Sequence, residues 1–230
     1  MLTLEGLRFE RGSFALTANW ALEPGARVAV IGPSGGGKST LLSLVAGFDN
    51  PTEGRVLMDG VDQVDAAPGE RPMSILFQEG NLFPHLTVEQ NVGLGLDTRL
   101  KLSAADKSQV RQVLRQVGLV DFERRKPGAL SGGQRARTAL ARVLLRARPL
   151  LLLDEAFSAL GPALKDEMFG LLEATIVAET TVLMVTHDPS EAARMDQIIA
   201  VDEGVAAAPA ASGPLLADPP PMLRAYLGQR

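Results

Sequence analysis

Gly32-Pro33-Ser34-Gly35-Gly36-Gly37-Lys38-Ser39-Thr40 is the stretch on which the reading of this chain turns. It satisfies G-x-x-x-x-G-K-[ST], the phosphate-binding loop, at every position. The apolar run Arg27-Val28-Ala29-Val30-Ile31 precedes it and predicts a buried strand. Lys38 to Ala46 follows and predicts a helix with Leu41, Leu42 and Val45 on one face. Strand, loop and helix in that order are the setting the motif requires. Glycines let the backbone curl with its N–H groups turned inward as an anion nest, and the helix N-terminus adds partial positive charge. In such a loop Lys38 holds β- and γ-phosphate oxygens and the Ser39 hydroxyl ligates Mg²⁺. A plain Gly-rich turn explains the glycines but not the Lys38-Ser39 pair. The loop reads as a nucleoside triphosphate site.

Composition narrows the class. A chain of 230 residues buries roughly 70% of its unfolded surface, as one large domain or two close-packed lobes. There is no cysteine, which excludes disulfides and thiolate metal sites and suits a reducing compartment. A net charge of −4 argues against a nucleic-acid partner, whose binders show a basic face. The start, Met1-Leu2-Thr3-Leu4-Glu5-Gly6, lacks the basic-then-apolar pattern of a signal peptide. The longest apolar candidate, 139–153, is interrupted by Arg142, Arg146 and Arg148 and falls short of the ~18 residues a membrane span needs. A soluble chain is expected, brought to any membrane by another subunit.

Around the loop, residues 2–22 alternate and are rich in β-formers, predicting two antiparallel strands beside the nucleotide core. Arg55-Val56-Leu57-Met58 predicts a short strand, and Met73-Ser74-Ile75-Leu76-Phe77 a buried one. The pattern then turns helical over 87–95 and 104–117, with Val110, Val113, Leu114 and Val117 at 3/4 spacing. This insert closes at Leu130-Ser131-Gly132-Gly133-Gln134, followed by a helix through Arg146. Residues 149–153 are continuously apolar, as in a strand covered on both faces of a parallel sheet. A helix over 162–177, a strand over 181–186, a short helix to Met195 and a last strand over 197–201 complete the core. The Ala/Pro-rich tail is weakly specified, with a terminal helical turn over 222–227.

Four polar features follow predicted parallel strands directly: Gly32 after 27–31, Gln78 after 73–77, Asp154-Glu155 after 149–153 and His187 after 181–186. In open α/β sheets ligands bind at that carboxyl edge, so neighbouring strands would bring these residues to the phosphate loop. An Asp closing an apolar strand is the Mg²⁺-holding partner of such a loop, which assigns Asp154. Glu155, one residue on, reads as the base that orients and deprotonates the attacking water. His187 reads as a γ-phosphate contact rather than a capping histidine. His85, in Phe83-Pro84-His85-Leu86-Thr87, reads as surface or partner-facing. Ser131 and Gln134 form a capping box, which stability alone explains. Gly132 and Gly133 exceed that need, since glycine weakens a helix but permits close approach. A second chain's phosphate approaching here would make the active unit a head-to-tail pair.

Taken together, Gly32 to Thr40, Gln78, Leu130 to Gln134, Leu150 to Glu155, Ser158-Ala159-Leu160 and His187 resemble the ATP-binding cassette ATPases over essentially the whole chain. The resemblance implies an α/β P-loop NTPase (RecA-like) core with a mostly parallel sheet. It adds an N-terminal antiparallel β subdomain and an inserted α-helical subdomain. A single cassette would then span 1–230, with core and β subdomain at 1–78 and 149–205, helical subdomain at 79–148 and a tail at 206–230. It implies a homodimer with ATP held between Gly32 to Thr40 plus Gln78 of one subunit and Ser131, Gly132, Gly133 and Gln134 of the other. Gln78 would join Ser39 and Asp154 around Mg²⁺, with Glu155 and His187 catalytic. The 78–85 region would lie under the coupling helices of integral-membrane permease subunits. The location implied is peripheral, at the cytoplasmic face of the bacterial inner membrane.

More narrowly, Leu76 to Val88, Asn91 to Leu96 and Leu100-Lys101-Leu102-Ser103 resemble the ATPases of bacterial thiamine importers, which are similarly short. That implies uptake of thiamine or its phosphates, with a periplasmic solute-binding protein as an indirect partner. The alternatives are an importer ATPase for another small solute, or a non-import cassette ATPase of the division or lipoprotein-release type. A chromosome-maintenance ATPase would need a long coiled coil between residues 40 and 130, where no heptads are sustained. Three positions depart from the family: Gly161 for the usual Asp, Ala156 for Pro after the catalytic Glu, and Arg11 for the aromatic that stacks on adenine. Phe9, Phe14 or the Arg11 guanidinium are the candidates for that last role.

Overall fold

The computed structural model describes residues 1–78 and 81–227; Glu79 and Gly80 of the expected helical subdomain, and residues 228–230 of the tail, lie outside them, as do the side chains of Met222 and Ala225. The elements in chain order are β1 (Leu2–Arg11), β2 (Phe14–Leu22), β3 (Arg27–Ile31), α1 (Lys38–Ala46), β4 (Glu53–Met58), β5 (Val61–Asp62) and β6 (Met73–Phe77). Then come α2 (Val88–Gly93), α3 (Ala104–Gln116), α4 (Gly132–Arg146), β7 (Leu150–Asp154), α5 (Pro162–Thr175), β8 (Thr181–Val185) and α6 (Pro189–Ala192). The chain ends with β9 (Gln197–Asp202), β10 (Val205–Ala206), β11 (Ala210–Ala211), α7 (Ser212–Ala217) and α8 (Pro221–Tyr226). They fall into two compact units, one of Met1–Met73, Pro149–Glu155 and Glu179–Arg230, the other of Ser74–Arg148 and Ala156–Ala178. Helix α5, grouped with the core in the sequence reading, thus belongs to the same unit as α4.

In the first unit the strands run β5-β4-β1-β2-β10-β9-β3-β8-β7. β9, β3, β8 and β7 are mutually parallel, and β1, β2, β4 and β5 pair antiparallel. The parallel strands read as unbroken apolar runs because both faces are covered: Val28 to Ile31 and Leu150 to Leu153 are buried throughout. β1 departs from simple alternation. Its register shifts between Leu4 and Leu7, so a bulge returns Leu7 and Phe9 to the buried face that Leu2 and Leu4 occupy.

One buried cation holds the end of α1. Arg71 is 1% exposed, its Nη1 donating to the carbonyls of Leu44 and Val45 at 2.8 and 2.9 Å and its Nη2 to that of Gln63 at 2.9 Å. Burial lowers its pKa, with Asp62 opposing the shift. The Leu44 and Val45 carbonyls lie in the helix's last turn, where carbonyls run short of intrahelical donors; Leu44 also accepts the Gly47 N–H at 3.3 Å. Arg71→Ala is expected to lower unfolding stability by about 3 kcal/mol, since it strands buried acceptors. Denaturant unfolding measures this; a loss near zero would show that solvent replaces the guanidinium.

The second unit is built on capped helices. Thr87 with Gln90, Ser103 with Asp106 and Ser131 with Gln134 each form a capping box, satisfying N-terminal N–H groups of α2, α3 and α4. Val88, Val92, Val110, Val113, Leu114, Val117, Leu130 and Ala141 share one apolar cluster, as the 3/4 spacing requires. Buried Asn91 gathers the preceding loop: its Nδ2 donates to the carbonyls of Phe83, Leu86 and Thr87, and its Oδ1 accepts from the Phe83 N–H. Held this way, the loop leaves Phe83, Pro84 and His85 exposed, the rings of Phe83 and His85 meeting edge-on at 6.0 Å.

Candidate functional site

Register brings the sequence-predicted residues of the first unit to one edge. Val30 and Asp154 both pair with Val185 across parallel strands. Gly32 lies two residues beyond Val30, Glu155 one beyond Asp154 and His187 two beyond Val185. The chain therefore leaves the sheet in three neighbouring loops on the same side.

The phosphate loop closes over its own lysine. Lys38 is 9% exposed, and its Nζ donates to the carbonyls of Gly32 at 2.7 Å and Pro33 at 2.9 Å. An ammonium has three donors, and these carbonyls take two of them. Burial lowers the pKa of Lys38, while the Glu155 carboxylate raises it. Glycine at position 32 is obligatory: φ is 152°, and a Cβ there would lie 1.9 Å from the Val201 carbonyl oxygen. Helix α1 is capped by Gly37 with no side-chain hydrogen bond, unlike α2, α3 and α4. Its first N–H groups are thus open to an anion. Phe14, Gly35, Gly37, Lys38, Ser39 and Thr40 line a cavity of about 220 Å³ at this point.

Opposite stands an acidic pair. Burial first, and then neighbouring Glu155, push the Asp154 carboxyl above the usual range. A cation would favour its ionised form, so the donor set fits a divalent ion. No group of three or more His, Cys, Asp or Glu that could hold a metal occurs among the described residues. Ser39 and Asp154 are residues that would hold a Mg²⁺ here, an ion commonly bound by one or two carboxylates plus substrate phosphate. Glu155 has a left-handed backbone, φ 46°, and its N–H donates to the Val185 carbonyl at 3.0 Å. Its Oε2 lies 3.4 Å from Nδ1 of His187, whose side chain is 58% exposed. Thr186, buried, donates its hydroxyl to Glu191 Oε2 at 2.5 Å and accepts the Asp188 N–H at 3.0 Å. The peptide that follows His187 is thereby held through its N–H.

The second unit holds the other named residues. Ser131 accepts the Gln134 N–H at 3.3 Å, and Gln134 Oε1 accepts the Ser131 N–H at 2.9 Å. The two glycines divide their work. A Cβ on Gly133 would meet Leu164 of α5 at 3.0 Å, so its small size serves packing within the unit. A Cβ on Gly132 would meet only the end of Arg135, at 4.0 Å, leaving that backbone accessible. Gln78 is exposed after β6, and with Phe77, Gly132, Arg135 and Phe157 it lines a cavity of about 410 Å³.

The family model of the ABC transporter matches residues 16–158, from β2 to beyond the acidic pair. The chain belongs to the ABC transporter family. The thiamine import ATP-binding protein ThiQ of Cereibacter sphaeroides is 56% identical over 99% of this chain and 100% of its own length. That of Ruegeria sp. is 52% identical over 99% and 100%, and that of Yersinia pestis 50% over 86% and 84%. Among solved structures, the ATP-binding cassette MJ0796, in a dimeric post-hydrolysis state bound to ADP and Pi, has a TM-score of 0.79. It is 30% identical, covering 92% of this chain and 99% of its own. This chain is accordingly an ABC ATPase, with ATP hydrolysis coupled to transport. No helix among the described residues is long and apolar enough to cross a membrane.

Several contributions to the ATPase site escaped the sequence reading or stayed open in it. Of the three candidates for the aromatic role, Phe9 is buried and Arg11 stacks over its ring at 5.1 Å while pairing with Asp49. Phe14 alone of the three lines the loop cavity, with its ring tip 3.2 Å from where a Gly37 Cβ would stand. The Thr186–Glu191 tie had no sequence signal beyond a helical acid four residues after His187. Gly161 is the N-cap of α5 with an extended backbone, φ −68° and ψ 159°, and a Cβ there would meet nothing within 4 Å. Nothing steric demands glycine at that position.

Proposed function

We propose that this chain is the ATPase subunit of an importer of thiamine or its phosphates, acting as a homodimer beneath permease subunits. The likeness that carries the reading is 56% identity over 99% of the chain and all of a relative named as a thiamine import ATP-binding protein. In this reading the cassette sits at the cytoplasmic face of the inner membrane, and a periplasmic solute-binding protein delivers the solute. Exposed Phe83, Pro84 and His85, on the loop that Asn91 holds, face the permease.

Within the ATPase site, Gly32 to Thr40 bind the triphosphate, with Lys38 leaving its two carbonyls for phosphate oxygens as these arrive. Phe14 offers the aromatic face for adenine. Ser39 and Asp154 would hold Mg²⁺, which when bound would neutralise phosphate charge. Glu155 orients a water and takes its proton, and His187, half-exposed beside it, contacts the γ-phosphate. Ser131, Gly132, Gly133 and Gln134 meet the nucleotide of the partner subunit. The capping box presents the α4 N-terminus, and the open backbone at Gly132 permits close approach.

Reconstitution with the cognate permease and solute-binding protein tests the function. Thiamine or its phosphates are expected to raise the ATPase rate severalfold over the solute-free complex. Stimulation by a different solute would move the assignment to another importer. An intact complex that no solute stimulates would favour a non-import role.

A further inference from the structure

Two residues of α8 tie the C-terminal segment to the first unit. Leu223 is fully buried, and Tyr226, the one tyrosine of the chain, donates its hydroxyl to the main-chain carbonyl of His187 at 3.1 Å. The helix is steadied on its outer side by Arg224, whose Nη2 reaches Asp218 Oδ1 at 3.0 Å and the Pro219 carbonyl at 3.2 Å.

The target of that hydroxyl matters. The His187 imidazole is 58% exposed, so its direction depends on its backbone and on its contact with Glu155 at 3.4 Å. Thr186, itself held by Glu191, accepts the Asp188 N–H, so the peptide between His187 and Asp188 is held on its N–H side. The carbonyl side of the same peptide receives the phenol. Rotation of that peptide would change ψ of His187 and swing the ring away from Glu155. The phenol's bond to its carbonyl opposes such rotation together with the Thr186 bond to its N–H.

We propose that Tyr226 is a positioning residue of the hydrolytic site, holding His187 in line with Glu155 through the His187 carbonyl. This rests on the reading of His187 as the γ-phosphate contact. The phenol is suited to the task. Burial and the nearby carboxylates of Glu155 and Asp188 raise its pKa, which keeps it protonated as a donor. The tail is then part of the ATPase machinery, and displacement of α8 would slow hydrolysis without loosening nucleotide.

Steady-state and single-turnover hydrolysis by the full-length chain tests the proposal. Tyr226→Phe keeps the ring and removes the donor. It is expected to lower kcat about threefold to tenfold, the worth of one net hydrogen bond, with KM for ATP within about twofold. In a His187→Ala background the same substitution should change the residual rate less than about 1.5-fold, because two residues acting through one contact are not additive. Wild-type kcat in Tyr226→Phe, with His187→Ala slow, overturns the role of Tyr226 alone. An equal loss in both backgrounds also overturns it, by showing a general weakening. A wild-type rate in His187→Ala overturns the reading of His187 itself, and the proposal with it.

Discussion

Glu155→Gln is expected to reduce ATP hydrolysis about 100-fold or more, the usual contribution of a positioned general base. An amide cannot accept the proton of the attacking water. The substitution preserves shape. The left-handed backbone and the Glu155 N–H bond to the Val185 carbonyl do not involve the side chain, so Asp154 and the loop keep their places. Binding and hydrolysis should therefore separate. ATP should hold two variant chains together, seen by light scattering as an ATP-dependent shift from monomer to dimer, while wild type under the same conditions returns to monomer as it hydrolyses. Phosphate release at the wild-type rate would remove Glu155 from the role of base.

Lys38→Ala should weaken ATP binding about 10- to 150-fold, from the roughly 1.5–3 kcal/mol of a charge-assisted hydrogen bond. The rest of the loop is positive only through its backbone dipoles, since Lys38 is the one charged side chain between Gly32 and Thr40. The ammonium is already held by Gly32 and Pro33 before nucleotide arrives, so little ordering remains to oppose binding. Calorimetry gives the affinity directly. Thermal unfolding gives a second reading: ATP raises the midpoint by mass action and should raise the variant's less than the wild type's at the same ATP concentration. Equal affinities for the two proteins would sink the assignment of the loop.

Much of the site was legible in the sequence because it is local in the chain. The loop carries its strand and helix within Arg27 to Ala46, and Asp154-Glu155 and His187 follow apolar runs that have few alternatives to a buried parallel strand. Local signals of this kind need no tertiary knowledge: a backbone without a Cβ at Gly32, a charge after leucines, a capping pair at Ser131 and Gln134.

Tertiary structure decided what depends on partners far along the chain. Arg71 sits in a polar, proline-containing stretch, yet it is buried against carbonyls 26 and 27 residues earlier. Phe9 and Phe14 are equivalent as residues, but the register of β1 and β2 buries one and sets the other at the loop. Gly133 reads as space for a ligand, and the packing of Leu164 shows that its space is used within its own unit. Tyr226 ends a weakly patterned tail and meets His187 across 39 residues. Periodicity and motif report what a residue and its near neighbours prefer. A buried guanidinium, or a hydroxyl aimed at a distant carbonyl, is stable only where the fold supplies the acceptor, and that acceptor leaves no mark on the sequence beside it.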